Sequence, residues 1–235
     1  MASQSLISTV NGYENYIKDK GIDEQVINAY VDACSVAING EKDIEYGLQL
    51  TKRAKELIEG FCTAKTGGTI WDLEKYAFDH KTTYELINKK YEVLLLEAQN
   101  KIVDSYFQYI EKKREPKDRF YMPRRKQLIK IGLVDALQGM IDDKYDILCV
   151  SLVPGAGKST IEKFFHSAVA GWFPKDYSLF YSHSGDITRM YYDGVYDIVT
   201  NDDDYAWHDI FPNLSVTSTN AKMEQFNIGK YKPFP

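Results

Sequence analysis

The sequence predicts an α/β fold in which an incomplete parallel sheet, built around a phosphate-binding loop, follows an all-helical N-terminal region. Three observations predict it. Ile147 to Leu152 is a near-continuous apolar run, as in a parallel strand covered on both faces. It leads through Pro154-Gly155-Ala156-Gly157-Lys158-Ser159-Thr160, a glycine-bearing turn, into an amphipathic helix. Beyond that helix, strand-like and helix-like segments alternate, which predicts parallel strands joined by right-handed crossovers. This is the arrangement of a P-loop NTPase.

A chain of 235 residues holds one sizeable domain, or one domain plus a helical extension. Its 44% apolar and 27% charged residues are those of a globular protein rather than a disordered one. No apolar stretch reaches the ~20 residues that cross a bilayer, and the polar N-terminus lacks a signal-peptide core, so no membrane partner is expected. Cys34, Cys62 and Cys149 are far apart and lack metal-ligand spacing, which suits core or surface thiols in a reducing compartment. His80, His166, His183 and His208 form no ligand pattern.

Residues 1–115 read as helical throughout. Val26, Ile27, Tyr30, Val31, Cys34, Val36 and Ala37 follow helical spacing up to Asn39-Gly40. A second helix runs from about Asp43 to Phe61. Thr69 is placed to cap a short helix ending at His80, and Thr82 or Thr83 to begin a long one carrying Leu86 through Ile110. Glu115-Pro116 ends it. Residues 116–123 form the expected linker, and residues 124–235 the partial nucleotide domain. Within that domain a helix is expected over 124–142, a strand over 145–152, a helix over 158–172, a strand over 178–181 and a helix over 186–199. A short turn around 203–211 and strands at 214–217 and 225–228 follow.

The loop carries the candidate chemistry. Gly155 and Gly157 let the backbone curl so that successive N–H groups point at an anion. Lys158 is placed to neutralise outer phosphates, and the Ser159 hydroxyl to bind Mg²⁺. Pro154, Ala156 and Thr160 complete the set expected to touch the phosphates. In the pattern G-x-x-x-x-G-K-[ST] the first glycine falls on Leu152, so the loop is a variant form. Gln127, some thirty residues upstream, has an amide that donates and accepts at once, which suits an adenine edge. Its neighbour Arg124 is suited to stacking on the base. ATP and Mg²⁺ are the cofactors these residues imply.

No catalytic residue is assigned. Val93-Leu94-Leu95-Leu96-Glu97 imitates a metal carboxylate after a strand, but helical spacing makes it a core helix. Asp202-Asp203-Asp204 reads better as the acidic first turn of the helix toward Trp207. Ser182-His183-Ser184 and Trp207-His208-Asp209 lack the turn that a nucleophilic triad needs. Between Glu111 and Lys130 nine cations face three carboxylates, within a chain of net charge −5. That segment is either a solvated helix end and linker or a patch that meets phosphates.

Several ordered blocks resemble the large subunit of a tailed-phage terminase, the motor that packages viral DNA. They are Phe120-Tyr-Met-Pro-Arg-Arg-Lys-Gln-Leu128, Ser151 to Ser159, Tyr181 to Ser184, Tyr192 to Val195, Trp207 to Pro212 and Thr219 to Lys222. The resemblance implies an ATPase that translocates double-stranded DNA, followed by a nuclease. It also implies a terminase small subunit, a portal and a homo-oligomeric ring as partners, in the cytoplasm of a bacterial host. It matches Gln127 to the adenine-reading glutamine, Lys158 to the phosphate lysine and Ser159 to the Mg²⁺ hydroxyl. The family's loop arginine has no counterpart at Gly155-Ala156, and its acidic metal motif and catalytic glutamate would follow Pro235, so the chain looks like a truncated or split subunit. The alternative is a nucleotide-binding or vestigial assembly module without hydrolysis of its own.

Overall fold

A computed structural model describes residues 2–76, 81–220 and 222–230. The chain separates into two compact units, Met1–Asn100 and Lys101–Pro235.

The first unit is helical: α1 (Gln4–Lys20), α2 (Glu24–Ser35), α3 (Ile44–Thr66), α4 (Ile70–Tyr76) and α5 (Lys81–Gln99). Side-chain oxygens of Ser3, Asp23 and Asp43 accept the first free amides of α1, α2 and α3. Thr69 caps α4 as expected, with Asp72 N donating to its Oγ1 at 3.2 Å and Asp72 Oδ2 accepting from Thr69 N at 3.0 Å. The expected end of that helix at His80 lies outside the described residues. Ile27, Tyr30, Cys34, Leu57, Ile58 and Val93 are buried together in the core. Glu97, the sequence imitation of a metal carboxylate, is spent inside this bundle: Lys55 Nζ lies 2.6 Å from Oε2, and Thr51 donates to Oε1 at 2.8 Å. Cys34 and Cys62 are buried and Cys149 is exposed. Burial pushes the Cys34 thiol up to about 12, so it stays a protonated core group.

The second unit is built around α6 (Val103–Ile110), of which Val103, Tyr106, Phe107 and Ile110 are wholly buried. Around it lie α7 (Tyr121–Lys130), α8 (Leu133–Ile141), α9 (Lys158–Trp172), α10 (Gly185–Thr200) and α11 (Trp207–Ile210). Tyr106 Oη and Ser167 Oγ are 2.8 Å apart, and Trp207 Nε1 donates to Ser167 O at 3.0 Å. These bonds fix α9 and α11 to the central helix. Two helices expected to be continuous are broken. Lys101, at φ 68°, separates α5 from α6, and Gly132, at φ 75°, separates α7 from α8.

The expected parallel sheet is not formed, and with it the P-loop NTPase fold is not shown. The described residues are 66% helical, and the one sheet among them is a two-stranded antiparallel pair. That pair is β1 (Leu214–Asn220) with β2 (Gln225–Lys230), the last two expected strands joined to each other by a short turn. A hairpin closes a loop of a few residues, whereas a crossover must order a long connection first. The expected strands over 145–152 and 178–181 are extended but unpaired. Among the described residues their backbone makes no ladder bond; turn bonds flank them, Ala156 N to Val153 O at 3.2 Å after the first and Asp176 N to Phe173 O at 2.9 Å before the second. Each still alternates with period two. Leu148, Val150 and Leu152 turn inward, while Ile147 and Val153 are 80% and 75% exposed. Phe180 stacks on Tyr191 with ring centroids 3.7 Å apart, while Leu179 and Tyr181 face solvent.

Candidate nucleotide site

Helix α9 begins where the sequence places it, at Lys158. Its cap is Gly157 at φ 85°, and Gly155 stands at φ 80°, so both loop glycines adopt the left-handed backbone that L side chains avoid. Thr160 N and Ile161 N bond back to Gly157 O, both at 3.1 Å. Among the described residues the amides of Gly155, Gly157, Lys158 and Ser159 find no acceptor, as expected at a helix start without a side-chain cap. Pro154, Gly155, Lys158 and Ser159 are exposed, and Ala156, Gly157 and Thr160 are half-buried. The turn therefore offers amides, one ammonium and two hydroxyls on an accessible face. Behind it a cavity of about 320 Å³ separates Leu137 and Met140 of α8 from Leu148, Val150 and Ile161.

Phe120 joins this loop to the second sequence-predicted group. Its ring lies against Gly157 so closely that a methyl group at that glycine would overlap Cζ and Cε2. The same ring meets Phe164 of α9 edge-on at 6.2 Å, and the Arg124 guanidinium lies over it at 4.3 Å. Arg124 Nη1 also donates to Phe120 O at 3.1 Å. Gln127 is exposed one turn further along α7, on the same side as Arg124. The structure thus brings Arg124 next to the loop through Phe120, and places Gln127 on the helix that makes the contact.

Most cations of the basic segment are partnered within the chain, although only Arg119 is buried. Lys112 and Lys113 each reach Asp209 at 3.5 Å, Arg114 pairs with Glu111 at 3.2 Å, and Lys117 with Glu115 at 2.7 Å. Arg125 grips both oxygens of Asp104, at 2.8 and 2.7 Å. Arg119 is buried and donates to the carbonyls of Arg114 and Lys112. Arg124, Lys126 and Lys130 remain on the exposed surface of α7.

Sequence reasoning missed Phe120, Glu111 and Asp104. Only the four-residue spacing of Phe120 and Arg124 hinted at a stacked pair. Asp202, Asp203 and Asp204 lie in a turn before α11 rather than in its first turn, where the acidic residue is Asp209; Asp202 Oδ1 and His208 Nδ1 are 2.7 Å apart, and Asn201 Oδ1 accepts from the amides of Asp203 and Asp204. Among the described residues no group of His, Cys, Asp and Glu is placed to hold a metal ion. Ser159 is therefore the one expected metal ligand in the loop, and its hydroxyl is exposed. No helix among the described residues is long and apolar enough to cross a membrane. No protein-family model, curated protein or solved structure matches the chain.

Proposed function

We propose that the chain binds ATP with Mg²⁺, the phosphates resting on the loop Pro154–Thr160 and the base on the Arg124–Gln127 side of α7. One observation carries this reading: two sequence-distant groups, each chosen for nucleotide chemistry, lie on elements joined by the Phe120–Gly157 contact. The two left-handed glycines, the free amides and the start of α9 support the phosphate half. Arg124, already stacked on Phe120, offers its other face to a base. The resemblance sets this activity in a DNA-packaging motor of a bacterial host's cytoplasm, with double-stranded DNA, a small subunit and a portal as partners. Lys126 and Lys130 are the α7 cations available to a DNA backbone.

An amide NMR titration tests the reading. Adding Mg·ATP to the ¹⁵N-labelled chain is expected to move the amide signals of Gly155 to Thr160 and the side-chain amide of Gln127. No movement, or movement confined to other residues, would contradict it. The second reading, an assembly module with an inactive loop, is favoured by the outward apolar residues Ile147, Val153, Leu179 and Tyr181. A silent loop in this titration would favour that reading instead.

A further inference from the structure

Resting on the ATP-binding reading above, we infer that Glu111 is a positioning residue of the nucleotide site, holding the base-side helix α7 against the phosphate loop through Phe120. The carboxylate is 1% exposed. Its Oε1 accepts from Phe120 N at 2.8 Å and its Oε2 from Tyr121 N at 2.7 Å. A helix start leaves such amides without partners, and here a side chain from outside the helix takes two of them with charge of the favourable sign. Phe120 itself has no side-chain cap to offer.

Burying a carboxylate is unfavourable unless it is fully partnered. Burial pushes the Glu111 carboxyl upward, and the two amides and Arg114 oppose that rise. Arg114 Nη1 reaches Oε1 at 3.2 Å, and Arg119 ties the carbonyls of Lys112 and Arg114 together, so the whole 111–121 connection is closed on itself. A second anchor holds the next turn. Asp104 accepts from Tyr121 Oη at 2.6 Å and from both Arg125 nitrogens. Both anchors hold the start of α7, from which the Phe120 ring packs between the Arg124 guanidinium and Gly157. Glu111 thereby sets the distance between what reads the base and what holds the phosphates.

That role separates two ligands. Inorganic tripolyphosphate needs the loop alone, whereas ATP needs the loop and α7 in register. Calorimetric titration of Mg·ATP and Mg·tripolyphosphate into wild type, Glu111→Gln and Phe120→Leu distinguishes them. In both variants ATP affinity is expected to fall about tenfold, the loss typical of removing a partner one layer behind a ligand group. Tripolyphosphate affinity is expected to stay within about twofold. Equal losses for both ligands would make Glu111 merely structural and overturn the inference, as would unchanged ATP affinity in both variants. If Glu111→Gln fails to fold by circular dichroism, Phe120→Leu alone decides. A wild type that binds neither ligand, or ATP without tripolyphosphate, would instead remove the loop-based reading itself, and this inference with it.

Discussion

Gly157→Ala is expected to destabilise the second unit by about 2–5 kcal/mol and to abolish nucleotide binding. Two effects add. Alanine at φ 85° is strained by about 1–2 kcal/mol. Its methyl group would also overlap the Phe120 ring, which is held by neighbours on its other side, and overpacking of that kind costs about 1–3 kcal/mol. Gly155→Ala supplies the control. Its φ of 80° carries the same strain, yet nothing lies within 4 Å of an added methyl group. Urea unfolding followed by tryptophan fluorescence is expected to place Gly155→Ala about 1–2 kcal/mol below wild type and Gly157→Ala clearly lower. Equal losses would mean that the Phe120–Gly157 contact contributes nothing.

Phe107→Ala is expected to cost the second unit about 3–5 kcal/mol. The ring is fully buried on α6. It meets Tyr121 of α7 edge-on at 5.1 Å and Phe164 of α9 at 6.2 Å. It therefore lies beneath both halves of the candidate site, and the cavity left by its removal would open between them. Against a domain stability of about 5–15 kcal/mol, such a loss leaves a substantial unfolded fraction. The same urea experiment checks it. A loss below about 1 kcal/mol would show that the surrounding aromatic side chains close the gap.

The local features were legible in the sequence. Helix α9 occupies 158–172 as its glycine turn and apolar spacing require, and the Thr69 cap was readable from residue type and position. Tertiary features were not. The near-continuous apolar run Ile147–Leu152 predicts a strand covered on both faces, yet it is unpaired and its exposure alternates, because pairing depends on whether another strand reaches it, which no local pattern encodes. Gly132 carried a break signal that the continuous apolar spacing concealed, and Lys101 carried none. The basic run looked like a patch because its partners are remote in sequence: Asp209 lies 97 residues from Lys112, and Asp104 lies 21 from Arg125. The loop and Gln127 are candidates chosen on side-chain chemistry alone. The contact that relates them was not legible, because Phe120 and Gly157 meet only in the folded unit.

Calorimetric titration of Mg·ATP into wild type and Lys158→Ala tests the phosphate-binding claim most directly. Lys158 is an exposed side chain at the start of α9, so its removal should leave the fold intact by circular dichroism. One saturable site is expected in wild type and an affinity at least about tenfold weaker in the variant, the effect of losing one charged hydrogen-bond partner. Equal affinities, or no binding by wild type, would contradict the claim.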